Sequence, residues 1–166
     1  MVVIVADKTI QNLHGSRNAL AIGTVLLPQG SDLDGLDDDI EEILEAARPA
    51  SRPRRGHVVY MARNLRTLEN VARNSEFIYE VEPIGEIIRL DGAWINRIWE
   101  LFADNEGNQN KLVMDRARQY AEGYWSGRPC PKSQPFEETI WEYMASSARV
   151  IRDVSNELKH NFSIGF

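Results

Sequence analysis

The sequence predicts an α+β protein, on two observations. Short β-branched and aromatic runs with strand character fill the first half of the chain. After Asp91, apolar residues recur at helical spacing until strand character returns over residues 148–154. Strand-rich and helix-rich stretches are therefore segregated rather than alternating, which argues against a parallel doubly wound sheet. The chain of 166 residues is the size of one domain and can bury a core without metal or disulfide staples, so a single domain over 1–166 is expected, with a helical insertion at about 93–146.

Residues 2–6 are apolar on both faces and read as a buried strand, and residues 10–14 as a second strand that delivers His14 at its end. Residues 24–27 form a third, closed by Pro28-Gln29-Gly30. Residues 31–39 carry five aspartates. A calcium loop is excluded by spacing, because Asp32-Leu33-Asp34-Gly35 brings its glycine too early for an EF-hand. Asp37, Asp38 and Asp39 instead suit the positive end of a helix running to about Ala47, with Ile40, Ile43, Leu44 and Ala47 inward. Residues 50–56 are a proline-broken basic loop containing Arg52, Arg54 and Arg55. It is either a solvated linker or an arginine clamp on a pyrophosphate or other anion.

A strand around Tyr60 follows, then a helix over 64–74 with Leu65, Leu68, Val71 and Ala72 inward, a strand over 77–81, and after Pro83 a strand over 84–90. Three helices are then expected. Trp94, Ile95, Ile98, Leu101 and Phe102 mark the first, and Val113, Ala117, Tyr120, Ala121 and Tyr124 the second. Phe136, Ile140, Tyr143 and Met144 mark the third. The spacing of these aromatics is that of a packed core.

The net charge of −6 argues against a general nucleic-acid binder but leaves room for a local basic patch. Cys130 is the only cysteine, so an intramolecular disulfide and a thiolate metal cluster are both excluded, and a reducing cytoplasm is the expected setting. The apolar run at 2–6 is too short for a signal segment, and no stretch approaches a membrane span in length.

The stretch Leu13-His14-Gly15-Ser16 brings together a ring that donates or accepts, a backbone open to close approach, and a short hydroxyl, which suits a small planar polar ligand. It is followed in order by Gly56-His57-Val58-Val59-Tyr60-Met61-Ala62, the helix beginning at Leu65, and Phe77-Ile78-Tyr79-Glu80-Val81 running into Glu82-Pro83-Ile84-Gly85. This order resembles the ADP-ribosyltransferases of the histidine-tyrosine-acid class, above all the small bacterial rifampin ADP-ribosyltransferases. The likeness spans roughly residues 11–91 and returns at residues 148–151.

The resemblance implies two small antiparallel sheets around an NAD+ cleft, and an enzyme that transfers ADP-ribose from NAD+ with release of nicotinamide, using no metal. It assigns ribose binding to His14, carboxamide pairing to the Gly15 backbone, a supporting hydroxyl to Ser16 and ring stacking to Tyr60. Arg55 is the candidate for the pyrophosphate. The acid that the family needs falls on Asp91, with Glu86 second. The acceptor, whether small molecule, protein or nucleic acid, stays open, as does oligomeric state. An NAD-dependent RNA 2'-phosphotransferase, a non-enzymatic NAD- or ADP-ribose-binding module and an adaptor without NAD chemistry are the alternatives.

Overall fold

The computed structural model describes residues 12–28, 38–71, 75–135 and 137–157. The strand expected at 2–6, the start of the one at 10–14, Asp32, Asp34, Asp37, Phe136 and the tail beyond 157 lie outside the described residues.

The architecture is α+β with two small antiparallel sheets. Leu13–Ser16 (β1), Val25–Leu26 (β2), Phe77–Ile84 (β4) and Ser147–Asp153 (β7) form a four-stranded sheet in the order β1-β4-β7-β2. Val59–Met61 (β3), Trp141–Ala145 (β6) and Ile88–Asp91 (β5) form a three-stranded sheet with β6 central. The helices are Asp38–Ala46 (α1), Leu65–Val71 (α2), Ala93–Asp104 (α3) and Lys111–Trp125 (α4), with one 3-10 turn at Arg55–His57. No helix among the described residues is long and apolar enough to cross a membrane.

Three apolar clusters explain the layering. Leu26, Tyr79, Val81, Ala148 and Val150 of the larger sheet meet Val59, Met61, Tyr143 and Ala145 of the smaller one between the sheets. The other face of the smaller sheet, through Ile88, Leu90 and Met144, packs on α1, α3 and α4 via Ile40, Leu44, Ile95, Ile98, Ala117, Ala121 and Tyr124. Leu68 of α2 closes a third cluster over Leu13 and Ile78. Because side chains alternate along a strand, the middle sheet has an inter-sheet face and a helix-facing face, and each of its residues belongs to one or the other.

Between β4 and β7 the chain changes sheet twice. After β4 it crosses at residues 85–87, and after β6 it crosses back at Ser146. Gly85 makes the first crossing with a φ of +92°, and a Cβ there would lie 3.0 Å from Ser146 Oγ. The Ser146 hydroxyl donates to the Ile84 carbonyl (3.1 Å), tying the two crossings together. Leu13 and Ala62 exchange two backbone hydrogen bonds (2.7 and 2.9 Å), joining the sheets along β1 and β3.

Two expectations need correction. The segment read as a third helix is the strand β6, so the helical insertion ends with α4 at Trp125. What decides is the period-two alternation of Trp141, Tyr143 and Ala145 against Glu142 and Met144, which serves two apolar faces at once. The strand expected at 84–90 is shorter. β4 runs through Pro83 to Ile84, and β5 begins only at Ile88. Val81 still donates to the Asn12 carbonyl, but beyond it β4 is paired, among the described residues, only with β7, and a proline is tolerated on a strand edge that need not donate.

Candidate functional site

His14 stands on β1 opposite Tyr79 of β4, and Ser16 opposite Phe77. The imidazole Nδ1 lies 2.9 Å from the backbone carbonyl oxygen of Tyr60. That carbonyl can only accept, so Nδ1 carries the proton and Nε2 is the nitrogen left to meet a ligand. Burial lowers the His14 pKa below its usual value, partly opposed by the bond to Tyr60. Gly15 pairs with Ile78. The Ser16 hydroxyl donates to the Asn18 carbonyl (2.8 Å) and accepts from the Asn18 amide (3.1 Å), which closes the turn after the strand.

The Tyr60 ring belongs to the helix-facing side of the middle sheet, where it packs against the cluster built by α1, α3 and α4. Its hydroxyl is buried with no hydrogen-bond partner among the described residues. Burial raises the phenol pKa far beyond its usual value, and Arg55 only partly offsets that. β3 therefore holds the two expected residues together differently from two side chains in one cleft: His14 meets the Tyr60 backbone, while the Tyr60 ring lies on the helix side.

Around that ring is a buried charged cluster. Arg55 sits at the 3-10 turn before β3, is 5% exposed, and carries its guanidinium between two rings, 5.4 Å from the Tyr60 centroid and 5.2 Å from that of Tyr124. Its Nε donates to Glu41 Oε2 on α1 (3.1 Å), and Nη1 approaches Glu142 Oε2 on β6 (3.5 Å). Nη1 also donates to the Tyr124 hydroxyl, which in turn donates to Glu142 Oε2 (2.9 Å). Burial raises the Glu41 pKa, and Arg55 acts against it. The expectation of Arg55 as a solvent-facing pyrophosphate clamp therefore meets a guanidinium already enclosed by two tyrosines and two carboxylates.

The two expected acids are placed elsewhere. Asp91, at the end of β5, is fully buried, and its oxygens accept from the backbone amides of Ala93 (3.0 Å), Ile140 (3.0 Å) and Cys130 (2.8 Å). It ties the start of α3 to the connection entering β6. Glu86 is exposed in the sheet crossing, outside β5. The carboxylate that shares a face with Tyr60 is Glu142, two residues before Met144, whose register partner is Tyr60. Helical spacing hid it from sequence reading. The usable signal was a glutamate alternating with aromatics in a strand-length run.

A separate polar cavity of about 210 Å³ opens between α2 and α3, lined by Arg66, Asn96, Arg97, Cys130, Lys132 and Glu137. It includes neither His14 nor Tyr60. Among the described residues, no three His, Cys, Asp or Glu side chains form a group that could hold a metal ion. Comparison with known proteins gives no match to any family model and no match to a curated protein.

Proposed function

We propose that the chain is an NAD+-dependent mono-ADP-ribosyltransferase in which Glu142, rather than Asp91 or Glu86, supplies the acid. The observation that carries this reading is the connection through β3. His14 is fixed by the Tyr60 carbonyl at 2.9 Å, and on the next strand Glu142 shares the Tyr60 face. A histidine with one free ring nitrogen, an aromatic ring and a nearby carboxylate are the parts that cleavage of a nicotinamide–ribose bond calls for.

In this reaction the bond between the ribose C1' and the nicotinamide nitrogen breaks, and its electron pair leaves with nicotinamide. An acceptor lone pair then forms the new bond to C1', and the acceptor's proton goes to a base or to water. Tyr60 serves as the stacking surface, and His14, on the other side of β3, positions it through the Tyr60 backbone carbonyl. Glu142 places negative charge beside the cation that develops on ribose. Because Arg55 lies over the Tyr60 ring, access to that ring requires the turn at Arg55–His57 to yield. Enzymes use such closed, water-free surroundings to strengthen electrostatic stabilisation of the transition state.

The test is nicotinamide release from NAD+ by the purified chain, followed by incubation with labelled NAD+ and cell extract separated into protein, nucleic-acid and small-molecule fractions. Label retained in one fraction identifies the acceptor. Absence of both NAD+ binding and nicotinamide release at millimolar NAD+ would rule the reading out, and binding without release would leave a non-enzymatic module.

A further inference from the structure

Half of the arginines among the described residues are held by carboxylates: Arg48 and Arg54 by Glu45, Arg55 by Glu41 and Glu142, Arg66 by Glu138, Arg97 by Glu137, Arg118 by Asp115 and Arg152 by Glu80. Arg63 and Arg89 are held otherwise. Both are exposed, and each is laid over an aromatic ring instead of against an acid. The Arg63 Cζ is 4.4 Å from the centroid of Tyr143, and the Arg89 Cζ is 4.1 Å from that of Trp141. Neither forms an ion pair among the described residues.

The placement follows from the sheet. Trp141 and Tyr143 lie two residues apart on the inter-sheet face of β6, Arg63 comes just after β3 on one side, and Arg89 stands on β5 on the other, opposite Tyr143. Phe77 and Leu20, both partly exposed, pack on the same cluster. Ala62, the neighbour of Arg63, is bonded to Leu13 beside His14.

A guanidinium stacked on a ring keeps its second face and its N–H edges for another partner. It can take a flat aromatic on the face and a phosphate at the edge. Two such groups, one over the buried Tyr143 and one over the partly exposed Trp141, suit a chain with both planar bases and phosphates. The bases must be unstacked to use those faces, which favours a single strand over a duplex. A net charge of −6 makes broad electrostatic capture unfavourable, so recognition here rests on stacking plus two local positive charges.

We propose that the face formed by Arg63, Tyr143, Trp141 and Arg89 binds a short single-stranded nucleic acid. The test is fluorescence anisotropy with labelled single-stranded DNA and RNA oligonucleotides and a duplex of the same sequence, without NAD+, over a range of salt concentrations. A labelled polyglutamate peptide serves as the acidic-protein probe. The expected result is saturable binding of a single strand, about tenfold tighter than of the duplex. Arg63→Gln and Arg89→Gln should each weaken it several-fold and reduce the salt slope by about one, with thermal stability unchanged. Three results would each overturn the proposal: no saturable binding of either oligonucleotide, equal binding of duplex or polyglutamate, or unaltered affinity in both variants. Nicotinamide release is measured apart, without oligonucleotide, so failure of strand binding is distinct from failure of the transferase reading.

Discussion

The His14 imidazole and the Tyr60 backbone carbonyl, 2.9 Å apart, couple the two sheets at the point where β1 meets β3. The pairing holds His14 in one tautomer, and burial disfavours its charged form. A histidine whose folded pKa is depressed binds fewer protons when folded than when unfolded. Its contribution to stability is therefore complete above the unfolded pKa, near 6.5, and is lost as pH falls from there through the folded pKa. Denaturant unfolding measured across this window should show stability falling with acidity, and His14→Gln should flatten that part of the profile. An unchanged profile would mean that other groups carry it.

Asp91 makes a sharper test of a structural carboxylate. Its two oxygens accept three backbone amides, so no isosteric change preserves all three bonds. Asp91→Asn replaces one accepting oxygen with a donor facing an amide and should cost about 1–3 kcal/mol; Asp91→Ala should cost more, because several buried donors are orphaned. Nicotinamide release per folded molecule should stay the same in Asp91→Asn. A catalytic Asp91 would instead lower turnover with stability intact.

Among the described residues the Tyr60 hydroxyl has no hydrogen-bond partner, whereas its ring packs on the helix-side cluster with Arg55 over it. Tyr60→Phe should therefore be neutral or slightly stabilising, since a buried unsatisfied hydroxyl is removed. Tyr60→Ala opens a cavity and should cost about 3–5 kcal/mol. Comparable losses in both variants would reveal a hydroxyl contact formed in solution.

Arg55 is the cation that lets Glu142 and Glu41 sit near each other. Arg55→Met leaves two partly buried acids without it and should destabilise by about 3–5 kcal/mol, most of it from Glu142, since Glu41 is partly solvated. Removing both members, as Arg55→Met with Glu142→Gln, should recover much of that loss. Thermal or urea unfolding of the singles and the double measures the coupling, and strictly additive losses would show that the pair does not interact.

Much of this arrangement was legible in the chain. The aspartate-led helix α1, the apolar spacing of α3 and α4, and the returning strand β7 follow from periodicity and end signals, because each faces one partner layer. β6 escaped because it is buried on both faces. A strand serving two cores has few polar positions, so Ile140, Tyr143 and Met144 satisfy a helical spacing as well. Losing β6 hid Glu142, and with it the partner of Arg55. His14 and Tyr60 were visible as types in order, but their relation through a backbone carbonyl depends on the register of β1 against Ala62, which no local pattern carries.

The identity of the acid separates the transferase reading from a purely structural one. Glu142 lies on the central strand of the smaller sheet, shares a face with Met144 and Tyr60, and takes hydrogen bonds from Tyr124 and Arg55 through one oxygen, Oε2. Its other oxygen, Oε1, lies against Gly92. If Glu142 stabilises the cation formed as nicotinamide leaves, Glu142→Gln should keep NAD+ affinity within a few-fold. It should lower nicotinamide release about 10²–10³-fold, the usual cost of deleting one preorganised electrostatic contact. Glu86→Gln, exposed in the sheet crossing, should leave release unchanged. Stability must be followed in parallel, because Glu142→Gln also weakens the bond network around Arg55. A variant that unfolds earlier yet releases nicotinamide at the native rate per folded molecule would assign Glu142 to the core and return the search for the acid to the inter-sheet face that carries His14.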